Sequence, residues 1–212
     1  MKILFFLLVS FITYPAGFTG QSPAKTIHLF DGETFKGLQG DTIQTWRIQD
    51  GALVGGSLNK TVPHNEFLIT TRSYTDFVLR LKFKLLGNEG FVNSGVQFRS
   101  QRIANPPYEM TGYQADLGDG FWASLYDESR RNKVLVMADT AQISSVLRRN
   151  DWNDYEVRCE GWRIRIRLNG QQTIDYTEED LTIPQSGLIA FQIHGGGKAE
   201  VHFKDITLKE LR

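Results

Sequence analysis

The sequence has little cysteine and no excess of charge of either sign, and both absences limit what the protein can be. Of its 212 residues only Cys159 is a cysteine, which excludes an internal disulfide and a zinc site built from cysteines. Lysine plus arginine total 24, as do aspartate plus glutamate, so the formal net charge is +0. Proteins that bind nucleic acid normally carry a basic excess, so we expect no nucleic-acid partner.

Long hydrophobic runs are also scarce. The one apolar stretch, Ile3 to Val9, follows the positively charged Lys2 and is soon ended by small residues and Pro15. It is too short for a transmembrane helix, and its layout is typical of a secretory signal peptide. We therefore expect a signal peptide over residues 1–22, no stable membrane anchor, and a mature protein that is secreted or periplasmic.

The remaining residues, 23–212, have the composition of one globular domain. Hydrophobic residues make up 41% of the chain and charged residues 23%, which excludes disorder as its main state. Short runs of Val, Ile, Phe, Tyr and Thr alternate with glycine-containing turns, and no long segment keeps a helical period; only Thr177–Leu181 allows a helical turn. This pattern predicts an all-β fold, a two-sheet antiparallel β-sandwich.

Three hairpin turns can be placed from residue type alone. Asp50-Gly51 and Asn169-Gly170 suit two-residue turns that need positive φ. If Gly161-Trp162 is the third turn, an arginine-rich strand face lies opposite glutamates, which we interpret as a solvated, partly paired surface rather than an anion site. Cys159 then lies on the apolar face of its strand as an inert core thiol.

Period-2 alternation also predicts the core and one irregularity. A β-bulge near Lys204-Asp205 would keep Phe203 and Ile206 both directed inward, since they are out of phase in a regular strand. The predicted core residues are Phe77, Leu79, Leu81, Phe83, Val96, Phe98, Phe191 and Ile193.

Four segments pair an apolar face with an unusual polar one. Glutamine, arginine, aspartate, tryptophan, tyrosine and histidine occupy the second face, where surface strands more often carry lysine, glutamate and threonine. Such side chains suit sugar recognition, because aromatic rings pack on apolar sugar faces while amides, guanidinium groups and carboxylates bind paired hydroxyls. The alternative is an ordinary exposed sheet. The residues are Gln97, Arg99, Gln114, Asp116, Trp122, Tyr126, Gln192 and His194.

These segments resemble the 3-keto-disaccharide hydrolase domain family, whose fold is similar to that of the concanavalin A-like lectins and glucanases. The resemblance runs from IHLFDGETFKGL, starting at Ile27, to VHFKDITLKEL, ending at Leu211. Between them lie NSGVQFRS, GYQADLG, SLYDE, DWNDYEV, RLNG and GLIAFQIHGGG, in that order. The resemblance implies a concanavalin A-like jelly roll.

One position departs from the family pattern. Many relatives read G-Y-E-x-Q where this chain has Gly112-Tyr113-Gln114-Ala115-Asp116, so that the acid comes two residues later on the same strand face. The carboxylate motif of laminarinase-like glucanases is absent too, so the carboxylate pair of ordinary retaining hydrolysis is not identified.

The resemblance implies cleavage of glycosides already oxidised at C3. The ketone acidifies the proton on C2, the enolate formed by its removal expels the group on C1, and water can add to the resulting enone. His194 is the best candidate for the base. Asp116 could instead be the base, orient His194 or bind a metal, and the charged Arg99 guanidinium suits the negative charge of the enolate. Substrate-binding candidates are Gln97, Gln114, Trp122, Tyr126, Gln192, Asp127 and Glu128.

Other assignments stay open. No cofactor is certain, although a divalent metal held by Asp116, His194 and a loop carboxylate is allowed. The alternative function is a non-catalytic, lectin-like carbohydrate-binding module, since one fold supports both. In both cases the expected partner is a carbohydrate, which for the enzyme is an oxidised glycoside.

Overall fold

The computed structural model describes residues 25–211, which form fifteen strands and one short helix. The predicted signal peptide, residues 1–22, lies outside the described residues. Among residues 25–211 no helix combines the length and hydrophobicity that crossing a membrane requires. In chain order the elements are β1 (Thr26–His28), β2 (Leu38–Gln39), β3 (Trp46–Gln49), β4 (Ala52–Gly56), β5 (Glu66–Thr70), β6 (Phe77–Gly90), β7 (Asn93–Arg102), β8 (Met110–Gly118), β9 (Leu125–Glu128), β10 (Lys133–Val136), α1 (Thr140–Val146), β11 (Asn153–Glu160), β12 (Arg163–Leu168), β13 (Gln171–Thr177), β14 (Leu188–Ile193) and β15 (Gly197–Glu210).

The strands form two antiparallel sheets. One has eight strands in the order β13-β12-β11-β6-β15-β4-β3, with β1 added on β15. The other has seven strands in the order β10-β9-β8-β7-β14-β5-β2. Their apolar faces enclose one main core, as expected when each sheet has a single hydrophobic face. The predicted all-β, two-sheet sandwich of jelly-roll type is confirmed.

The core consists of the residues that alternation predicts. Each of the eight predicted core side chains belongs to the main hydrophobic cluster, and none is more than 4% exposed. Burial of each contributes about 1.5–3 kcal/mol to stability. Cys159 lies in the same cluster, where burial raises the pKa of its thiol to about 12. It is therefore a protonated core side chain at neutral pH, as predicted.

The predicted turns and bulge are present. Asp50 and Gly51 have φ of 51° and 70°, and Asn169 and Gly170 have φ of 48° and 84°. The turn at Gly161-Trp162 aligns Glu160 with Arg163, and the arginines of β12 form exposed ion pairs. In β15 the register shifts between Lys204 and Thr207, which leaves both Phe203 and Ile206 buried.

The helical turn that the sequence allows at Thr177–Leu181 is not formed. β13 ends at Thr177, and Glu178 then accepts hydrogen bonds from Tyr113 and Arg131, so tertiary contacts rather than a helical turn fix the Thr177–Leu181 segment. The helix of the described chain is α1, which begins after Asp139, whose carboxylate accepts the Gln142 amide at 2.8 Å. A helix of two turns with one buried side chain leaves no periodic signal to detect.

Candidate functional site

The centre of the seven-stranded sheet carries polar residues on the face turned away from the core. Asp116 of β8 and Gln192 of β14 lie on either side of Gly95 in β7. Along the next row, Gln114 of β8 lies between Gln97 and Tyr126. The alternation in the sequence therefore does place these side chains together, because β8, β7 and β14 are neighbours in the sheet.

At one end of this face lies a small open cavity of about 140 Å³. Residues of β8 and β9 form its floor, and residues at the end of β14 and in the β6–β7 and β8–β9 connections form its walls. Its lining residues are Phe91, Asn93, Gln114, Asp116, Phe121, Tyr126, Glu128 and His194. Five of the ten predicted site residues thus meet in one cavity.

Asp116 is the most deeply buried acid of the cavity. It is 5% exposed, and its Oδ1 accepts hydrogen bonds from the Asn93 side chain at 3.1 Å and from the Leu117 amide at 3.0 Å. Burial raises the pKa of Asp116 to about 7, and the hydrogen bonds from Asn93, Leu117 and Gln114 offset this only in part. At neutral pH this carboxyl can hold or release a proton.

Glu128 is a second acid with a shifted pKa in the same cavity. Burial, helped by the negative charges of Glu109 and Asp116, raises the pKa of Glu128 to about 7, while Gln192 acts in the opposite direction. The negative charge of Asp116 thus makes Glu128 harder to ionise. Two carboxyls that stay partly protonated at neutral pH mark a site for proton transfer or for donating hydrogen bonds to a ligand.

His194 follows β14 and completes the cavity. Its backbone amide donates to the Asn93 carbonyl at 3.1 Å, which extends the pairing with β7 by one residue. Its Nδ1 lies 2.7 Å from the Gly195 carbonyl oxygen. Since a carbonyl only accepts, Nδ1 carries the proton and Nε2 keeps the lone pair, so the neutral ring can act as a base through Nε2.

The three glycines after His194 allow neighbouring loops to approach it. A Cβ on Gly195 would lie 2.6 Å from the Cα of His64, and one on Gly197 would lie 2.3 Å from the carbonyl oxygen of Phe91. Both distances are far shorter than a van der Waals contact, so side chains are excluded there. The His-Gly-Gly-Gly segment is thus the junction where the β4–β5 and β6–β7 connections pack around His194.

Three buried glutamines lie beside the cavity with unsatisfied amides. Gln97 and Gln192 are 0% exposed and Gln114 is 1% exposed. Among residues 25–211, no hydrogen-bond partner is found for either amide atom of Gln97 or for the Oε1 of Gln114, and the Gln192 amide has only a loose contact with the Glu128 carboxyl. Buried polar atoms are normally paired, but these atoms lie too deep for a sugar hydroxyl to reach them in this conformation, so contact of Gln97 and Gln192 with substrate stays a prediction.

Arg99 is not part of this arrangement, and the prediction that it lies on the polar face was wrong. A β-bulge between Phe98 and Gln101 puts Arg99 at a φ of 48° and turns its side chain away from that face. The fully buried guanidinium donates to the Thr75 carbonyl at 2.9 Å and to Asp76 at 2.9 Å. Four residues separate Arg99 from Gly95, the neighbour of Asp116, or about 13 Å along the strand.

Asp127 also lies away from the cavity. Its position on β9 between Tyr126 and Glu128 directs it to the opposite face of the sheet, where it is 0% exposed. There it pairs with Arg130 and Arg131, and Arg131 in turn pairs with Glu178. The prediction of a substrate contact is corrected: Asp127 anchors the β9–β10 turn.

Trp122 does not lie where alternation predicts, and its neighbour Phe121 takes its place at the cavity. Residues 119–124 form a loop rather than a strand, and Ala123 has a φ of 53°, so period 2 does not apply. Phe121 lines the 140 Å³ cavity, whereas Trp122 packs on Phe83 and lines a separate cavity next to it. Trp122 therefore does not share the Asp116 cavity, contrary to the prediction.

Sequence reasoning missed Asn93, Phe91 and Phe121. Asn93 is the most informative, because its side chain binds Asp116 and its carbonyl binds the His194 amide. The alternation that selected Gln97 also includes Gly95 and Asn93, so extending the pattern to the start of β7 would have found it. Phe91 lies in a turn, where no strand periodicity applies.

No set of three His, Cys, Asp or Glu side chains within the described part of the chain is placed to hold a metal ion. Asp116, Glu128 and His194 line one cavity but do not form such a set. The divalent metal therefore stays an expectation from the sequence.

Two kinds of comparison relate the chain to known proteins. A family model described as the 3-keto-alpha-glucoside-1,2-lyase-like domain matches residues 25–209. No curated protein matches the sequence.

Solved structures share the fold at low sequence identity. A glycosyl hydrolase-like protein from Parabacteroides distasonis is 22% identical with a TM-score of 0.65, over 88% of this chain and 94% of that one. The carbohydrate-binding module CBM66 from Bacillus subtilis is 18% identical with a TM-score of 0.63, over 82% and 96%. A β-glucanase from Bacillus licheniformis is 10% identical with a TM-score of 0.57, over 91% and 100%. At these identities the likeness shows the jelly-roll fold alone.

Proposed function

Because the chain belongs to the 3-keto-alpha-glucoside-1,2-lyase-like domain family, we propose that it is an enzyme that cleaves glycosides carrying a ketone at C3 of the sugar. The observation that supports this most is the meeting of Asp116, Glu128 and His194 in one cavity, with both carboxyl pKa values raised to about 7. Elimination next to a ketone requires a base and groups that stay protonated near neutral pH, and these side chains can supply both.

In the proposed reaction the first step is removal of the C2 proton. The Nε2 of His194 takes the proton as the C2–H bond breaks, and the electron pair moves to the C3 oxygen as an enolate. Because Arg99 lies elsewhere, this oxygen needs another donor. Asp116 in its protonated form is suited to donate a hydrogen bond to the enolate oxygen, because a neutral carboxyl has an O–H group and places no negative charge beside it.

The second step expels the group on C1. The C3 carbonyl re-forms, a double bond forms between C1 and C2, and the C1–O bond breaks. Glu128 in its protonated form can give its proton to the leaving oxygen, which completes an elimination. Addition of water across the new double bond, hydroxyl at C1 and proton at C2, would turn the elimination into net hydrolysis.

The direct test compares an oxidised glycoside with its parent. Wild-type protein is incubated with p-nitrophenyl 3-keto-glucoside and with p-nitrophenyl glucoside while nitrophenol release is followed. We expect release from the ketone alone, since only the ketone acidifies C2. Equal release from both compounds would indicate ordinary glycoside hydrolysis, and binding without release would favour the lectin-like alternative.

The role of Glu128 can be tested through the leaving group. Glu128→Gln keeps a donor in place but has no transferable proton, so turnover of a methyl 3-keto-glucoside should fall by roughly 10²–10⁴-fold. The p-nitrophenyl compound, whose leaving group needs little protonation, should be affected much less. An equal loss with both compounds would argue against Glu128 as the acid.

A further inference from the structure

The β7–β8 hairpin folds back over the seven-stranded sheet. Glu66 at the start of β5 lies level with Ser94 at the start of β7, because both pair with Ile193 of β14. From Ser94 to the end of β7 is eight residues, so Glu109, which lies beyond that end, would be about 26 Å away in a straight hairpin. Its carboxylate nevertheless accepts a hydrogen bond from Asn65, the neighbour of Glu66, at 3.1 Å. The end of the hairpin therefore returns to the level at which the two strands begin.

A β-bulge makes this bend, and contacts on the polar face hold it. At the bulge Arg99 has a φ of 48° and the opposing Gly112 has a φ of 142°. At the tip the Tyr108 ring stacks on His64 of the β4–β5 connection, with 3.8 Å between the ring centroids. Met110 packs in a small apolar cluster on the polar face with Phe67, Ile69 and Ala190. The hairpin is thus fixed against the segment that precedes β5.

Asn65 joins the hairpin to the segment that follows His194. Its Nδ2 donates to Glu109, and its Oδ1 accepts from the Gly195 amide at 3.2 Å. The other oxygen of the Glu109 carboxylate accepts from the Met110 amide at 2.9 Å, which fixes the orientation of the carboxylate. Both polar atoms of the Asn65 side chain therefore bind segments that meet beside the proposed base.

The Gly195 carbonyl, which accepts from Nδ1 of His194, needs this support. Glycine has more backbone freedom than any other residue, so the carbonyl has a defined direction only if the peptides on both sides of the Gly195 Cα are held. The Gly196 amide donates to the Val62 carbonyl at 2.8 Å, which holds one peptide through the main chain alone. The other peptide depends on the Asn65 side chain. A residue without that amide oxygen would leave the Gly195 amide without its acceptor.

We propose that Asn65 is a positioning residue for the proposed base. It holds the Gly195 peptide so that the carbonyl orients the His194 imidazole and keeps the proton on Nδ1. Glu109, on the folded hairpin, holds Asn65 in turn. The inference rests on the proposed function. Asn65 does not line the 140 Å³ cavity, so its loss misdirects the base without removing a substrate contact.

Steady-state kinetics with p-nitrophenyl 3-keto-glucoside tests this role. The leaving group of this compound departs readily, so its turnover reports on removal of the C2 proton. Asn65→Ala should lower kcat by roughly 10²-fold, the scale for misplacing a reacting group by about 1 Å, and should leave KM unchanged. Asn59→Ala is the matched control, because Asn59 is exposed in the same connection and does not line the cavity of His194. A wild-type kcat in Asn65→Ala, or an equal loss in the control, would overturn the inference.

An exchange of the two polar groups tests the part played by Glu109. Asn65→Asp keeps an acceptor for the Gly195 amide but sets a second carboxylate against Glu109, and the two charges repel each other. This variant should also have a lowered kcat. Adding Glu109→Gln restores one donor and one acceptor with their roles reversed, so kcat should return to near the wild-type value. A double variant no more active than Asn65→Asp would refute the link through the hairpin.

The imidazole ¹⁵N NMR signals of His194 provide a readout that needs no turnover, and His194→Ala identifies them. At pH 8 the wild type should show the tautomer protonated on Nδ1, whereas Asn65→Ala should show a mixture of both tautomers. The same single tautomer in both proteins would overturn the inference. If the wild type cleaved no keto glycoside but the tautomer changed in Asn65→Ala, the proposed function would fail while the orienting contact would stand.

Discussion

Replacing Asp116 by asparagine should stabilise the protein above neutral pH. The carboxyl has an ordinary pKa of 3.8 and a pKa of about 7 in the folded protein, chiefly because it is buried. The folded state therefore binds the proton more tightly than the unfolded state does. Between pH 3.8 and about pH 7 the wild type loses stability as the pH rises, because folding must either keep a proton on Asp116 or bury its charge.

The size of this effect follows from the gap between the two pKa values. A gap of about 3 pH units at 1.36 kcal/mol per unit is about 4 kcal/mol, which the wild type has lost in full above pH 7. Asparagine does not titrate, and its side-chain oxygen can still accept from Asn93 and Leu117. The variant should thus match the wild type near pH 4 and exceed it by up to about 4 kcal/mol at pH 8.

Urea denaturation at pH 4 and pH 8 measures this difference directly. Asp175→Asn is the control, since Asp175 is an acid whose pKa is lowered, mainly by its hydrogen bond with Arg163. Relative to the wild type, that variant should be destabilised to nearly the same extent at pH 4 and pH 8, because a carboxyl whose pKa is held below 3.8 is largely ionised in the folded protein at both. If the wild type and Asp116→Asn had parallel stability profiles over this range, Asp116 would not have a raised pKa, and its proposed role as a neutral donor would be refuted.

Four further predictions concern activity, stability and processing. His194→Ala should lower kcat on a 3-keto glycoside by roughly 10²–10⁴-fold while far-UV circular dichroism stays unchanged; full activity would exclude it as the base. Arg99→Met should lower the free energy of unfolding by about 3 kcal/mol, because Asp76 and the Thr75 carbonyl lose a buried partner; an unaltered urea midpoint would contradict this. Turnover should survive dialysis against EDTA, since each proposed step uses side chains alone; a loss that added divalent ions restore would establish the metal instead. N-terminal sequencing of the exported protein should begin between Gly17 and Lys25, whereas an intact Met1 in the cytoplasm would reject the signal peptide.

The sequence by itself determined the fold class, the core and most of the polar face. Strands alternate with period 2, so residues such as Val96 and Phe98 could be assigned to the core, and Gln97, Gln114 and Asp116 to the other face, without knowing which strands are neighbours. The turns at Asp50-Gly51 and Asn169-Gly170 could also be placed from the sequence, because these residue types accept the positive φ that a two-residue turn needs.

The tertiary structure alone decided which polar residues form the site. The inward direction of Arg99 is fixed by its partners, the Asp76 carboxylate and the Thr75 carbonyl, which no local pattern reveals. Likewise, alternation could not give the directions of the Phe121 and Trp122 side chains, because both residues lie in a loop rather than in a strand. The pKa of Asp116 is raised by burial, and that of Glu128 by burial and by the charges of Glu109 and Asp116, so both shifts exist only once the sheet has formed.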